Sequence, residues 1–239
     1  MQQSTVERRS VLDVPLLNIL AWDWEKTAYA VLLVVALGLR LYGLGWRAMS
    51  HDESLHAVYS WQLYDGRGYQ HNPMMHGPYQ FYMPALSYFL FGVNDATARL
   101  PAAISGSLLV AGMWLLRRWI GRAGALLAAL FITISPLLLY YSRYIREDPH
   151  ALLWSGIVLL ASFRYLEERQ SKWLYLASVA LVITYASKEV AFIYTAIFVS
   201  FFALHALWEG RRRGWNGIVA TGSFELVILL GCLSAPLFS

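Results

Sequence analysis

Apolar runs of 14 to 19 residues recur at 27–45, 100–116, 123–141, 150–163, 173–187, 190–208 and 217–235, separated by short polar knots. A helix rises 1.5 Å per residue, so about 20 residues cross a hydrocarbon core and each run predicts a membrane helix. The fourth and fifth runs are short and extend into their flanks. The pattern predicts an all-α, polytopic transmembrane protein with about seven spans. One segment is ambiguous: 78–93, PYQFYMPALSYFLFGV, could cross or lie as a helix in the interface.

Positive residues decide between the two, because Lys and Arg accumulate in cytoplasmic loops. If 78–93 does not cross, twelve of the nineteen Lys and Arg residues fall inside: Arg8, Arg9, Lys26, Arg117, Arg118, Arg122, Arg164, Arg169, Lys172 and Arg211 to Arg213. Crossing would invert that bias. The non-crossing topology makes 46–99 one long outer loop carrying interfacial helices, and puts 142–149 and 188–189 at the next outer turns. Residues 1–26 form a cytoplasmic N-terminus, followed by one membrane module over 27–239.

Composition agrees, with 58% hydrophobic and 14% charged residues, and excludes an ordinary soluble fold. The net charge of +4 does not point to nucleic acid, since the basic residues sit in knots between spans as topology signals do. Cys232 is the single cysteine, which excludes an intrachain disulfide and a cysteine metal site. Asp13, Asp23, Glu25 and Lys26 interrupt the first apolar residues, unlike a cleaved signal peptide. Residues 11–22 are expected to lie on the membrane surface as a short amphipathic helix. Glu225, inside the last run, has no evident partner.

Two charged clusters stand directly beside spans, where charge is costly to hold. The first is Ser50-His51-Asp52-Glu53-Ser54-Leu55-His56. Asp52 and Glu53 open a helix, where acids are favourable by about 0.3 to 1 kcal/mol. Helical neighbours diverge by about 100°, so one acid can cap while the other enters a site. His56, three and four residues on, shares a face with either. The second cluster is Tyr141-Ser142-Arg143-Tyr144-Ile145-Arg146-Glu147-Asp148. Arg143 and Arg146, one helical turn apart, would offer two planar forks to a phosphate, or Arg143 would pair with Glu147 at i+4. Pro149 suits the first turn of the next helix. Lys188 either snorkels to headgroups or holds a lipid phosphate. His71 and His76 lie in a loop of turn formers and aromatics. They could join His51, Asp52 or His56 around a divalent ion, although no tight ligand spacing is present.

The run DES-x-H-A is similar to the acidic motif of protein O-mannosyltransferases and lipid A aminoarabinose transferases, and YSRYIRED resembles the second outer loop of the oligosaccharyltransferase catalytic subunit. HDES, HGPYQFY, LFGVNDATARLPA and SRYIRED together resemble a prokaryotic family labelled flippase activity-associated, within the GT-C superfamily of membrane glycosyltransferases. The likeness covers most of residues 27–210 and implies a GT-C-like N-terminal module continued by further spans beyond Ser239. It implies transfer of a sugar, with inversion, from a polyprenyl- or dolichyl-phosphate donor to a glycan, lipid or protein acceptor at the outer face. Asp52 would be the general base, and Glu53 or Glu147 and Asp148 would position acceptor or metal. Arg143, Arg146 and Lys188 would hold phosphate, with His56 and His76 beside the substrate. A divalent metal, Mg or Mn, is an open candidate at His51, Asp52 and Asp148. A lipid-linked sugar flippase and a non-catalytic assembly subunit are the competing readings. A transporter would place charge at mid-membrane, whereas here polar residues gather at one face.

Overall fold

The computed structural model describes residues 23–68, 70 and 76–235. The surface helix expected over 11–22 and His71 therefore lie outside the described residues, which form eleven helices and no strand. Helix α1 (Trp24–Leu41) is followed by α2 (His51–Tyr64) and α3 (Tyr79–Phe91), then by α4 (Asp95–Ile120). Ser50 caps α2 and Asn94 caps α4, each in a reciprocal capping box, with Glu53 and Thr97 respectively. Two otherwise unbonded backbone donors are satisfied at each start.

The 13 residues of α3 extend about 20 Å, short of the roughly 30 Å hydrocarbon core. Gln80 and Ser87 on it are buried, and the Ser87 hydroxyl donates to the Thr97 carbonyl at 2.7 Å. Helix α3 is thus short and tied by polar contacts to the first turn of α4.

Helices α4 and α5 (Arg122–Ile134) pack on α1. Ala36, Ala125 and Ala129 are fully buried between them, with Tyr29 and Val110. Small side chains bring membrane helices close enough for backbone-level packing. The expected run 123–141 is two helices, because Pro136 opens α6 (Pro136–Tyr141) after a break at Ser135. Proline cannot donate to the carbonyl four residues back, which leaves Ile132 O without its helical partner. Arg40 supplies the missing bond at 3.0 Å, so a fully buried guanidinium repairs the break and ties α1 to α5.

The second half comprises α7 (Asp148–Glu168), α8 (Ser171–Ser187), α9 (Ala191–Arg213), α10 (Trp215–Thr221) and α11 (Ser223–Ser234). Its core joins Val158 and Tyr165 of α7, Ala180 and Leu181 of α8, Phe202 of α9, and Leu226 and Leu230 of α11. The run 217–235 is divided at Gly222, whose φ of +75° suits glycine. Glu225 finds a partner in Arg169, at 3.7 Å. By length and composition α4 and α9 qualify as membrane-crossing helices, with α5 and α11 as shorter apolar helices. The seven expected spans correspond in order to α1, α4, α5 with α6, α7, α8, α9, and α10 with α11. A third cluster, Tyr88, Ala98 and Ile145, lays α3 and the start of α4 against the turn after α6.

Gly106 on α4 faces that same turn, and a Cβ there would collide with the Ser142 hydroxyl and lie 2.9 Å from Arg40 Nε. Gly112, on the same helix, faces open space. Gly106→Val should therefore lower stability in detergent by about 1 to 3 kcal/mol, the usual cost of overpacking, while Gly112→Val should leave the thermal midpoint nearly unchanged. Equal shifts would mean that α4 does not approach the turn this closely.

Candidate active site

Three stretches meet at one end of the bundle: the start of α2, the turn between α6 and α7, and the turn between α8 and α9. The buried carboxylate of Glu53 joins the first two, and Lys188 joins the third to Glu147 and Asp148. Arg99 of α4 donates to Glu53 through Nε at 2.8 Å and a terminal nitrogen at 3.1 Å. Arg47 donates at 2.9 Å, and the backbone N–H groups of Ser50 and Ile145 add 3.2 and 3.3 Å contacts. Arg99 is itself fully buried and spends a further nitrogen on the carbonyls of Leu44 and Arg47. Burial acts to raise the pKa of Glu53, but the Arg99 and Ser50 hydrogen bonds outweigh it and the net shift is downward. Ser50 and Tyr144 hydroxyls, in a short contact, close the junction.

Asp52, on the neighbouring face of α2, is 58% exposed and points to Arg146 at 3.9 Å. The Arg146 guanidinium also approaches Glu147 at 3.6 Å and Asp148 at 3.3 Å. These are ionic approaches, since Arg146 Nε has no aligned hydrogen-bond partner. Lys188 reaches Glu147 at 3.0 Å and Asp148 at 2.5 Å. Glu147 is fully buried. Burial pushes its pKa up, yet its own backbone N–H and the Lys188 ammonium pull harder, so it is held below the ordinary value. Burial likewise works against the Lys188 charge, and hydrogen bonds to Asp148 and Glu147 more than offset it.

His76 joins the cluster from the first outer loop, with Nδ1 2.9 Å from Glu189 and Nε2 3.6 Å from Glu147. Its φ is +64°, a left-handed conformation uncommon outside glycine. The adjacent Gly77 lies so close to the end of α8 that a Cβ would overlap the Ala186 carbonyl, so the loop can dock there only with glycine at that position. His56 is buried against Phe81 with a ring separation of 5.5 Å. Its desolvated ring has a lowered pKa, and its Nδ1 is without a partner.

The turn over 142–147 is not helical, so Arg143 and Arg146 do not share a face. Arg146 enters the acidic cluster, whereas Arg143 turns to α1 and donates to the Leu39 and Gly43 carbonyls, and no i+4 pair with Glu147 forms. Two adjoining cavities of about 640 and 350 Å³ are lined by Arg143, and Asp52, Arg146 and Lys188 line neither. His51 is exposed at the first turn of α2. Among the described residues no group of three or more His, Cys, Asp or Glu could hold a metal ion, so His51, Asp52 and Asp148 do not form a three-ligand set. The Arg146 guanidinium stands between the two aspartates. Arg99 is the residue that sequence reasoning left among unassigned outer cations, although it lies within the run LFGVNDATARLPA; its role depends on a contact 46 positions away.

The family described as dolichyl-phosphate-mannose-protein mannosyltransferase matches residues 75–234. No curated protein matches the sequence. Among solved structures, the Saccharomyces cerevisiae protein O-mannosyltransferase Pmt1-Pmt2 complex bound to the sugar donor aligns over 91% of this chain and 33% of that one, with 21% identity and a TM-score of 0.73. ArnT from Cupriavidus metallidurans, solved in the apo state and bound to undecaprenyl phosphate, aligns over 85% of this chain and 42% of that one, with 22% identity and a TM-score of 0.65. An Archaeoglobus fulgidus oligosaccharyltransferase tethered with an acceptor peptide gives 18% identity, 89% and 33% coverage and a TM-score of 0.59. The chain thus spans a third to about two fifths of the length of these proteins, and the likeness establishes its fold as GT-C.

Removing the Glu53 charge strands a buried guanidinium. Glu53→Gln should cost about 3 to 5 kcal/mol, as breaking a buried pair does, while Asp52→Asn at an exposed position should cost at most about 0.5 kcal/mol. Adding Arg99→Met to Glu53→Gln should recover part of the loss. Because Glu53 has a depressed folded pKa, its contribution is complete above the unfolded carboxylate value and is lost as pH falls through the folded one. Equal thermal midpoints for the two single variants would contradict this assignment.

Proposed function

The chain belongs to the dolichyl-phosphate-mannose-protein mannosyltransferase family, and from that premise we propose that it supplies the catalytic face of a membrane glycosyltransferase acting at the outer side of the bilayer. The donor is a polyprenyl- or dolichyl-phosphate sugar, and the acceptor brings a hydroxyl or amide. The observation that carries the reading is the meeting of Asp52 with Arg146, which shares Glu147 and Asp148 with Lys188. One exposed carboxylate stands beside a cation that two further acids hold in place and link to a second cation.

In this reading Asp52 takes the acceptor proton while the acceptor atom bonds to the anomeric carbon. The carbon–oxygen bond to phosphate breaks, and the lipid phosphate leaves with the electron pair. Phosphate is a competent leaving group, so a base and cations suffice and no general acid is needed. A single displacement inverts the anomeric centre. Arg146 and Lys188 receive the developing charge, for which the unaligned Arg146 Nε has donor capacity. Glu147 and Asp148 hold the two cations, His76 fastens the loop beside them, and Glu53 acts as a positioning residue for Asp52 through Arg99. The ArnT structure bound to undecaprenyl phosphate supports the donor class. The Pmt1-Pmt2 structure bound to the sugar donor supports the reaction class.

If Asp52 is the base, Asp52→Asn in the full-length protein should preserve folding and donor binding and slow transfer by about 10² to 10⁴. Turnover within a few-fold of wild type would reduce Asp52 to a first-turn acid that merely suits the helix N-terminus.

Sidedness has its own test. Cys232 is exposed, so it is first replaced by serine. A single cysteine at Gln62 or Arg67 should then label with an impermeant thiol reagent from outside intact cells, and one at Arg212 should not. The reverse pattern would overturn the proposed outer face.

A further inference from the structure

The break at Pro136 has a second consequence. Helix α6 does not continue along α1, and the space left between them is a groove lined on one side by Val35, Gly38, Leu39 and Tyr42. Those positions follow the i, i+3, i+4, i+7 spacing of a single helix face. Leu139 and Arg143 of the other side line this cavity of about 640 Å³ and also the adjoining one of about 350 Å³, where Arg47 and Tyr140 complete the wall. An apolar trough thus leads to a pocket holding two guanidinium groups.

The charge at that pocket is unbalanced. The acid bonded to Arg47 is the buried Glu53, and it is already matched by the bidentate bond from Arg99. Arg47 is a second cation on the same carboxylate and is half-exposed. It lies over the Tyr140 and Tyr144 rings at 5.5 and 5.2 Å. Arg143 bonds two backbone carbonyls at the end of α1 and has no carboxylate in ion-pair range among the described residues. Three arginines against one glutamate leave a surplus of positive charge that the partial negative charge of the α1 C-terminus, about half a unit, does not cancel.

We propose that this groove is a binding site for an anionic phospholipid of the bilayer. Its acyl chain would lie along Val35, Gly38 and Leu139, and its phosphodiester would rest on Arg143 and Arg47. A phosphate seated there is not at the reacting centre, because Asp52, Arg146 and Lys188 line neither cavity. The site is therefore separate from that of the sugar donor. Planar guanidinium forks suit phosphate oxygens, and a single apolar chain is the shape that a trough of this volume accepts.

The test is native mass spectrometry of the detergent-purified protein after exchange into mixed micelles containing phosphatidylglycerol or phosphatidylcholine. Wild type should retain one phosphatidylglycerol about ten-fold better than phosphatidylcholine, the scale of one charge-assisted hydrogen bond. Arg143→Ala should abolish that preference. Gly38 faces open space, so Gly38→Phe should fold and should expel both lipids by filling the trough. If Arg143 merely caps α1, Gly38→Phe would leave retention unchanged and the proposal fails. It also fails if the two lipids are retained equally, or if equimolar undecaprenyl phosphate displaces the phosphatidylglycerol, which would give the groove to the donor.

Discussion

The ion pair between Glu53 and Arg99 is the constraint on which the rest of this face depends. Two groups that would each be expensive to bury alone are both fully desolvated. They are affordable together only because every lone pair and fork nitrogen near them is directed: Arg99 to Leu44 and Arg47 carbonyls, Glu53 to Ser50, Ile145 and Arg47. One carboxylate therefore pins four separate pieces of chain: the exit from α1, the start of α2, the first turns of α4 and the turn after α6. Asp52 is the preceding residue, and helical geometry swings it about 100° away, out of the clamp and toward Arg146. The rigid acid and the exposed acid are produced by the same turn of helix.

Around Asp52 the charges divide by burial. Glu147 is buried and engaged by Lys188, Arg146 and His76. Asp148 is partly exposed and shares Lys188 and Arg146. The two cations are thus largely compensated before any ligand arrives, and Asp52, touched by Arg146 alone at 3.9 Å, is the least compensated acid of the three. A carboxylate in that position keeps its access to solvent. Arg143 differs because the chain after Tyr141 leaves the helix, which turns one guanidinium of the cluster into the site and the other toward the bilayer side of α1.

Much of this was legible in the chain. The apolar runs located the helices, and the ambiguous segment 78–93 holds the 13-residue α3. The two charged clusters were visible as outliers beside spans, and they do meet. Other features were hidden for identifiable reasons. The i, i+3 relation of Arg143 and Arg146 assumed a helix through 142–147, and the turn there breaks it. The division of 123–141 was signalled by Pro136, but the repair of Ile132 O by Arg40 joins residues 92 positions apart, beyond local pattern. Arg99 reads as one more outer cation until its partner is known. Sequence shows which residues are costly to place; only the fold shows which partner offsets the cost.

In the proposed mechanism Asp52 and Arg146 act on one transition state. A double-mutant cycle on transfer from a polyprenyl-phosphate sugar, using Asp52→Asn, Arg146→Met and the combination in the full-length protein, tests this directly. Residues that serve one step are strongly non-additive, so the double variant should be about as slow as the slower single variant. A double variant slowed by the full product of the two single effects would place Asp52 and Arg146 in separate roles and contradict the shared site.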